Sequence, residues 1–200
     1  MSFIGYTYLH LTAALGATAL SSEYPLFKQS LKTLIVENIF ALIILFILMY
    51  SRPGPLKYAL FLVFCILIGQ ILSTGVKLAK KKGTLRTVLA SVAGIFIAMS
   101  AVGFIDNQNL LGFSTYLFAA LIGLILARVV SIALYISESK PRDLENTDNI
   151  LSWVSTILFA LFVAYDTQLL KQRQQKPYDY INSSLGLFLD IINLFTSENR

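Results

Sequence analysis

Long apolar runs separated by short polar breaks set the pattern of this chain. Windows of about twenty residues, the length that crosses a bilayer as a helix, pick out seven segments: Gly5–Ser22, Thr33–Tyr50, Pro55–Gly75, Leu85–Ile105, Leu110–Ile136, Asn149–Leu170 and Tyr180–Thr196. The breaks carry turn chemistry: Glu23-Tyr24-Pro25, Ser51-Arg52-Pro53-Gly54-Pro55, Lys80-Lys81-Lys82-Gly83, Asp106-Asn107-Gln108-Asn109, Lys140-Pro141-Arg142 and Lys176-Pro177. None is long enough to separate domains, so residues 1–200 read as one transmembrane domain of an all-α polytopic membrane protein. The seventh segment is short, and hydropathy alone leaves it either spanning or dipping in and returning.

Composition makes the membrane reading necessary. Hydrophobic residues are 56% of the chain and charged ones 14%, with mean hydropathy +0.69, too little charge to cover a soluble surface. The net charge of +5 sits in loops and is not interleaved with aromatics, so the expected partner is the lipid bilayer and not nucleic acid. Cys65 is alone in an apolar run and reads as a small hydrophobe. The N-terminus lacks the basic flank and cleavage site of a signal peptide, so the first segment is expected to be retained as a helix.

With all seven segments spanning, one side of the membrane carries Lys28, Lys32, Lys77, Lys80, Lys81, Lys82, Arg86, Lys140, Arg142 and Arg200. The other carries Arg52, Lys57, Lys171, Arg173 and Lys176. The positive-inside rule then favours a cytosolic C-terminus. Small residues recur every four positions in the third segment (Cys65, Gly69, Ser73), the fourth (Ala90, Gly94, Ala98) and the fifth (Thr115, Ala119, Gly123, Ala127, Ser131). Such stripes let helices approach closely in lipid and predict a compact bundle.

Five titratable residues fall inside the segments: His10, Glu37, Arg128, Asp166 and Asp190. An ionisable group within the membrane is expensive and is by default a functional hypothesis. His10 is the only histidine and reads as a packing residue, since one imidazole cannot build a zinc site alone. Glu37 is near enough to its segment's start to reach the interface, and Arg128 could snorkel or pair with a helix end. Asp166 and Asp190 differ. Each lies twelve residues from position 178, inside the polar run Lys171 to Asp179, so an antiparallel hairpin sets them at one depth. On the seventh segment Ser183, Gly186, Asp190 and Asn193 share one face, which is expected to point inward. Two carboxylates about 4 Å apart repel by roughly 4 kcal/mol at an effective dielectric of about 20, so the pair is expected to share a proton near neutrality.

The runs Tyr165-Asp166-Thr167-Gln168 and Leu187-Phe188-Leu189-Asp190-Ile191-Ile192-Asn193-Leu194-Phe195, joined by a basic hairpin with Tyr178-Asp179-Tyr180, resemble the signature of the transmembrane Bax inhibitor motif (Bax inhibitor-1-like) family. Tyr8-Leu9-His10-Leu11 and Lys57-Tyr58-Ala59-Leu60 add to the resemblance, which covers nearly the whole chain. It implies a seven-transmembrane-helix bundle with a central seventh helix. The implied activity is a pH-sensitive calcium leak, with Ca²⁺ as transported ion and no cofactor. The family's pH sensor and gate maps onto Asp166 and Asp190 and its second-helix acid onto Glu37, the three implied as calcium-attracting. The latching arginine maps onto Arg52 if a small gap is allowed, with Asn193 and Arg128 as further candidate latch or pore-lining residues. The implied setting is an intracellular membrane (endoplasmic reticulum or Golgi) in a eukaryote or virus, or the plasma membrane of a bacterium, with possible membrane-protein partners in cell-death control. The chain departs from some members in ending at Arg200, without a charged tail, and in its very short N-terminus.

Other classes compete with the leak. A non-conducting scaffold that regulates apoptosis through protein partners fits the same residues, as does a proton-coupled transporter. A presenilin-like di-aspartyl protease shares the Tyr165-Asp166 pair, but Leu187-Phe188-Leu189 precedes the second acid where that mechanism wants glycines. A serine mechanism needs a Ser–His pair, and the single histidine lies far away in the first segment. The expectation is therefore not an enzyme.

Overall fold

The computed structural model describes residues 2–27, 29–105, 110–137, 142–173 and 179–199. Among them are seven α-helices and no strand: α1 (Phe3–Glu23), α2 (Leu31–Tyr50), α3 (Pro55–Lys82), α4 (Leu85–Ile105), α5 (Ser114–Ser137), α6 (Arg142–Arg173) and α7 (Tyr180–Glu198), with a 3₁₀ turn, Leu110–Phe113, before α5. Each corresponds to one predicted segment, so the all-α, seven-helix class holds. Five stretches, in α2, α3, α4, the 3₁₀ turn with α5, and α6, are long and apolar enough to cross a membrane. The turns expected at Asp106–Asn109, Lys140–Pro141 and Lys176–Pro177 lie outside the described residues.

Local chemistry accounts for the helix ends. Ser2 and Ser30 cap α1 and α2, their hydroxyls accepting from Gly5 N and Thr33 N, each at 3.2 Å. Pro55 opens α3 at a position where its missing N–H costs nothing. That helix continues beyond the predicted Gly75, because Val76 to Lys82 still favours helix and the three lysines of its last turn suit the negative end of the helix dipole. It stops at Gly83, whose left-handed φ of 74° suits glycine alone among common residues. There Gly83 N donates to Lys80 O and Thr84 N to Ala79 O, at 3.1 and 3.0 Å.

Contacts group the chain into two compact units. The first is Met1–Arg86 with Gln172–Phe188, and the second Thr87–Lys171 with Leu189–Arg200. The three crossings between units fall inside α4, α6 and α7, so no break in composition marks them.

In the first unit, α1 packs on the small-residue stripe of α3. Cys65, Gly69 and Ser73 are all buried, and a Cβ built on Gly69 would lie 2.5 Å from Thr18 O. Hydrogen bonds tie this seam: Thr18 Oγ1 donates to Cys65 O (2.9 Å), Ser21 Oγ to Ile66 O (2.8 Å), and Gln70 Nε2 to Ser21 O (3.1 Å). In lipid such polar contacts and close backbone approach replace the hydrophobic effect between helices. The stripes of α4 and α5 behave otherwise. Ala90, Gly94, Ala98, Thr115, Ala119 and Gly123 are exposed, and a Cβ on Gly94 or Gly123 meets nothing within 4 Å. Instead α4 turns Val88, Val92, Ser100 and Gly103 inward, because its interhelical contacts lie at Ser100 and Gly103, off the predicted stripe.

No residue of α7 from Tyr180 to Phe195 is exposed. Leu187 and Leu194, which the sequence leaves to lipid or to neighbouring helices, have zero exposure and so take the second role. Within the first unit Ser184 Oγ donates to Thr7 O at 2.9 Å, and Phe188 meets Phe61 and Phe64 edge-on, each with ring centroids 6.2 Å apart.

Candidate functional site

The second unit holds both intramembrane aspartates. Asp166 lies on α6 and is half-buried; Asp190 lies on the C-terminal part of α7 and is 5% exposed. The two are close enough for the charge of Asp166 to act on Asp190. Near the far end of α7, Thr156 Oγ1 donates to Glu198 Oε1 at 3.1 Å. From that contact to the acids the chain advances ten residues along α6 and retreats eight along α7, the register of an antiparallel pair, as the equal offsets from residue 178 anticipate. One carboxylate oxygen of Asp190, Oδ2, is buried with no hydrogen-bond partner. Ser183, three residues inside the start of α7, likewise has an unpaired buried hydroxyl. On the small polar face of this helix Ser183 and Asp190 are buried, and Gly186 and Asn193 half-buried.

The segment of α6 around Asp166 is clamped. Thr167 Oγ1 donates to Ser100 Oγ on α4 at 3.4 Å, Gln168 Oε1 accepts from Leu111 N in the 3₁₀ turn at 3.2 Å, and Lys171 Nζ donates to Phe104 O at 3.0 Å. Between these bonds Gly103 brings α4 against α6: a Cβ there would sit 2.5 Å from Ala164 O and 2.8 Å from Thr167 Cβ. These contacts fix the rotation of α6, and hence the direction of Asp166.

The remaining candidates lie elsewhere. Arg128 donates to Ser152 Oγ at 3.0 Å and pairs with Asp148 at 3.6 Å, while Ser131 Oγ donates to Asp148 at 3.2 Å. Ser152 is fourteen residues from Asp166 on the same helix, or about 21 Å at 1.5 Å per residue, so Arg128 does not latch the acids. Its role is to hold α5 to α6. Glu37 and Arg52 belong to the first unit. Glu37 is 4% exposed and neither of its oxygens has a hydrogen-bond partner, whereas Arg52 is exposed in the turn between α2 and α3. Among the described residues no group of three or more His, Cys, Asp or Glu could hold a metal. His10 is a packing residue as expected: its Nδ1 lies 2.7 Å from Tyr6 O, which can only accept, and its ring meets Tyr58 and Tyr180.

Sequence reasoning passed over one polar cluster. Lys57, read from the sequence as loop charge and as part of a family-like run but given no partner, is completely buried and donates to Asp179 Oδ2 at 2.7 Å and to Ser51 O at 3.1 Å. Asp179 in turn caps α7, accepting from Asn182 N at 3.1 Å. A signal was available: Lys57 lies in the first turn of a helix, at the positive end of its dipole, where a cation is disfavoured unless an anion meets it.

Comparison with known proteins agrees with this architecture. The family described as "Inhibitor of apoptosis-promoting Bax1" matches residues 1–197. An uncharacterised membrane protein of Streptococcus pyogenes serotype M3 is 28% identical over 193 residues, 88% of this chain and 80% of the relative. Inner membrane protein YbhL of Escherichia coli K12 is 29% identical over 172 residues, 81% of this chain and 69% of its own. Bax inhibitor 1 of Schizosaccharomyces pombe is 28% identical over 204 residues, 98% of this chain and 73% of its own. The chain is an integral membrane protein and belongs to the Bax inhibitor-1-like family.

Proposed function

We propose that this protein is a calcium leak whose opening follows pH, with Asp166 and Asp190 as the proton-sharing gate. The observation that carries the reading is the buried Asp190 carboxylate, with one oxygen unpaired and a second acid close by on α6. Two such carboxylates hold one proton between them more readily than none, because two adjacent charges repel strongly in a low dielectric. Loss of that proton adds a negative charge to an enclosed seam, and the seam must then open, admit water or admit a cation. Calcium is the cargo that suits bare carboxylate oxygens. The reading calls on no bond-making chemistry, so we propose a transport protein and not an enzyme. It rests on the aspartate pair and does not require Glu37 or Arg52.

Reconstituted vesicles test it. Asp190→Asn keeps the size of the side chain and removes its titration, so calcium efflux from vesicles holding the variant should lose the pH dependence of the parent. Flux equal to the parent at every pH would refute the gate. The absence of any flux from the purified parent would favour a scaffold that works through membrane-protein partners.

A further inference from the structure

The last two turns of α3 carry a dense positive patch. Lys77, Lys80, Lys81 and Lys82 are exposed, as is Arg86 at the start of α4. Lys77, Lys80 and Lys81, spaced by three and four, share one side of the helix. The acids of the first unit are Glu23, Glu37 and Asp179. Asp179 is bound to Lys57 near the start of α3, Glu37 is buried on α2, and Glu23 pairs with Lys80. At this end of α3 five cations therefore meet one paired carboxylate. Membrane topology asks only that positive charge lie somewhere in the loop; it does not ask for lysines on one side of a helix at a fixed depth.

That depth identifies the partner. With 28 residues, α3 is about 42 Å long at 1.5 Å per residue, against about 30 Å of hydrocarbon. Its apolar part fills the core, and Lys77 to Lys82 fall in the headgroup layer, where lipid phosphates lie. The turn after α1 adjoins this patch, because Lys80 reaches Glu23, the residue before Tyr24. Tyr24, Leu26 and Phe27 are all exposed there. Leu26 N donates to Gln70 Oε1 at 2.7 Å, which holds the turn beside α3 at a level seven residues before Lys77, or about 10 Å, on the acyl side of the lysines. Cations at phosphate depth next to apolar side chains at acyl depth match the two parts of one molecule, a phospholipid of net negative charge. A soluble anion would use the lysines and leave the apolar side chains idle. Clusters of four or more Lys and Arg beside a membrane helix attract anionic lipid for the same reason. We propose that the end of α3 is a binding surface for anionic phospholipid, with Lys77, Lys80 and Lys81 receiving the headgroup phosphate and Tyr24, Leu26 and Phe27 lying along the upper acyl chains.

The test uses the full chain in detergent micelles, with palmitoyl-oleoyl phosphatidylglycerol and phosphatidylcholine of the same chains as probes and retained lipid counted by native mass spectrometry. The parent should bind phosphatidylglycerol at least about tenfold more tightly than phosphatidylcholine, one decade in dissociation constant, and the preference should shrink as salt is added. Lys77→Gln with Lys81→Gln should lose about that factor while melting within a few degrees of the parent without lipid, and Lys77→Arg with Lys81→Arg should keep it. Glu23→Gln, which removes the local negative charge, should bind as tightly or more tightly. Arg52→Gln, the same loss of charge at the opposite end of α3, should bind as the parent does. Equal retention of the two lipids by the parent, undiminished preference in the double glutamine variant, or an equal loss in Arg52→Gln would overturn the assignment. Displacement of phosphatidylglycerol by inorganic phosphate or by an acidic peptide would also overturn it, by making the patch a site for soluble anions. The proposal is independent of the leak, so a protein that moves no calcium would leave it standing.

Discussion

Removing Asp179 should be far more damaging than removing Lys57, although the two form a single ion pair. The Lys57 side chain has zero exposure and that of Asp179 31%. Asp179→Ala loses the cap of α7, worth about 1 kcal/mol, and leaves the buried ammonium with its bond to Ser51 O. Orphaning a fully buried charge costs roughly 3–5 kcal/mol; because water already reaches Asp179 and screens the pair, we take about 2 kcal/mol for this part, and about 3 kcal/mol in all. Lys57→Met removes the charge and keeps most of the volume, while Asp179 rehydrates and still caps α7, so its cost should be about 1 kcal/mol or less. In the Lys57→Met background no ammonium is left to orphan, and Asp179→Ala should then cost the cap alone, about 1 kcal/mol. The coupling is thus about 2 kcal/mol, readable from denaturant unfolding of the four proteins in detergent. If Asp179→Ala costs the same in both backgrounds, the buried pair contributes nothing and the reasoning fails.

Three further outcomes follow from the packing. Gly103→Ala places a methyl 2.5 Å from Ala164 O and should destabilise by about 1–3 kcal/mol through overpacking; because the clash abuts Thr167, it should also shift the pH profile of any calcium flux, whereas an unchanged melting temperature would contradict the close approach. Gly69→Ala meets Thr18 O at the same distance and should cost a similar amount, while Gly94→Ala, which meets nothing within 4 Å, should melt within a degree or two of the parent. Arg128→Gln should lower stability modestly, about 1 kcal/mol for a half-exposed pair, and leave the pH profile of flux alone; an altered profile would return Arg128 to the gate.

The helices were legible because their boundaries are written in local chemistry. Pro55 opens α3 where the sequence places its start, while α3 runs on to Lys82 and α6 begins at Arg142, each seven residues beyond the predicted bound because polar residues there continue the helix. The closeness of Asp166 and Asp190 has a related source: their equal offsets from residue 178 suit one antiparallel register of α6 and α7. What the sequence could not convey was rotation about each helix axis. Small-residue stripes on α3, α4 and α5 look alike as spacing, yet the α3 stripe meets α1 while those of α4 and α5 lie largely exposed. The difference lies in distant partners such as Thr18 and Ser21, which supply hydrogen bonds at the α3 seam. Rotation also decides the charges: Arg128 reaches Asp148, and Lys57 reaches a residue 122 positions away. No local pattern encodes a partner at that separation.

The most direct test of the central claim is calcium flux by the purified protein alone, in sealed vesicles, titrated across pH for the parent, Asp166→Asn and Asp190→Asn. The account predicts a parent flux that changes with pH in one transition, and two variants in which that transition is lost or displaced. A parent that carries no calcium at any pH, or variants whose profiles coincide with it, would contradict the account.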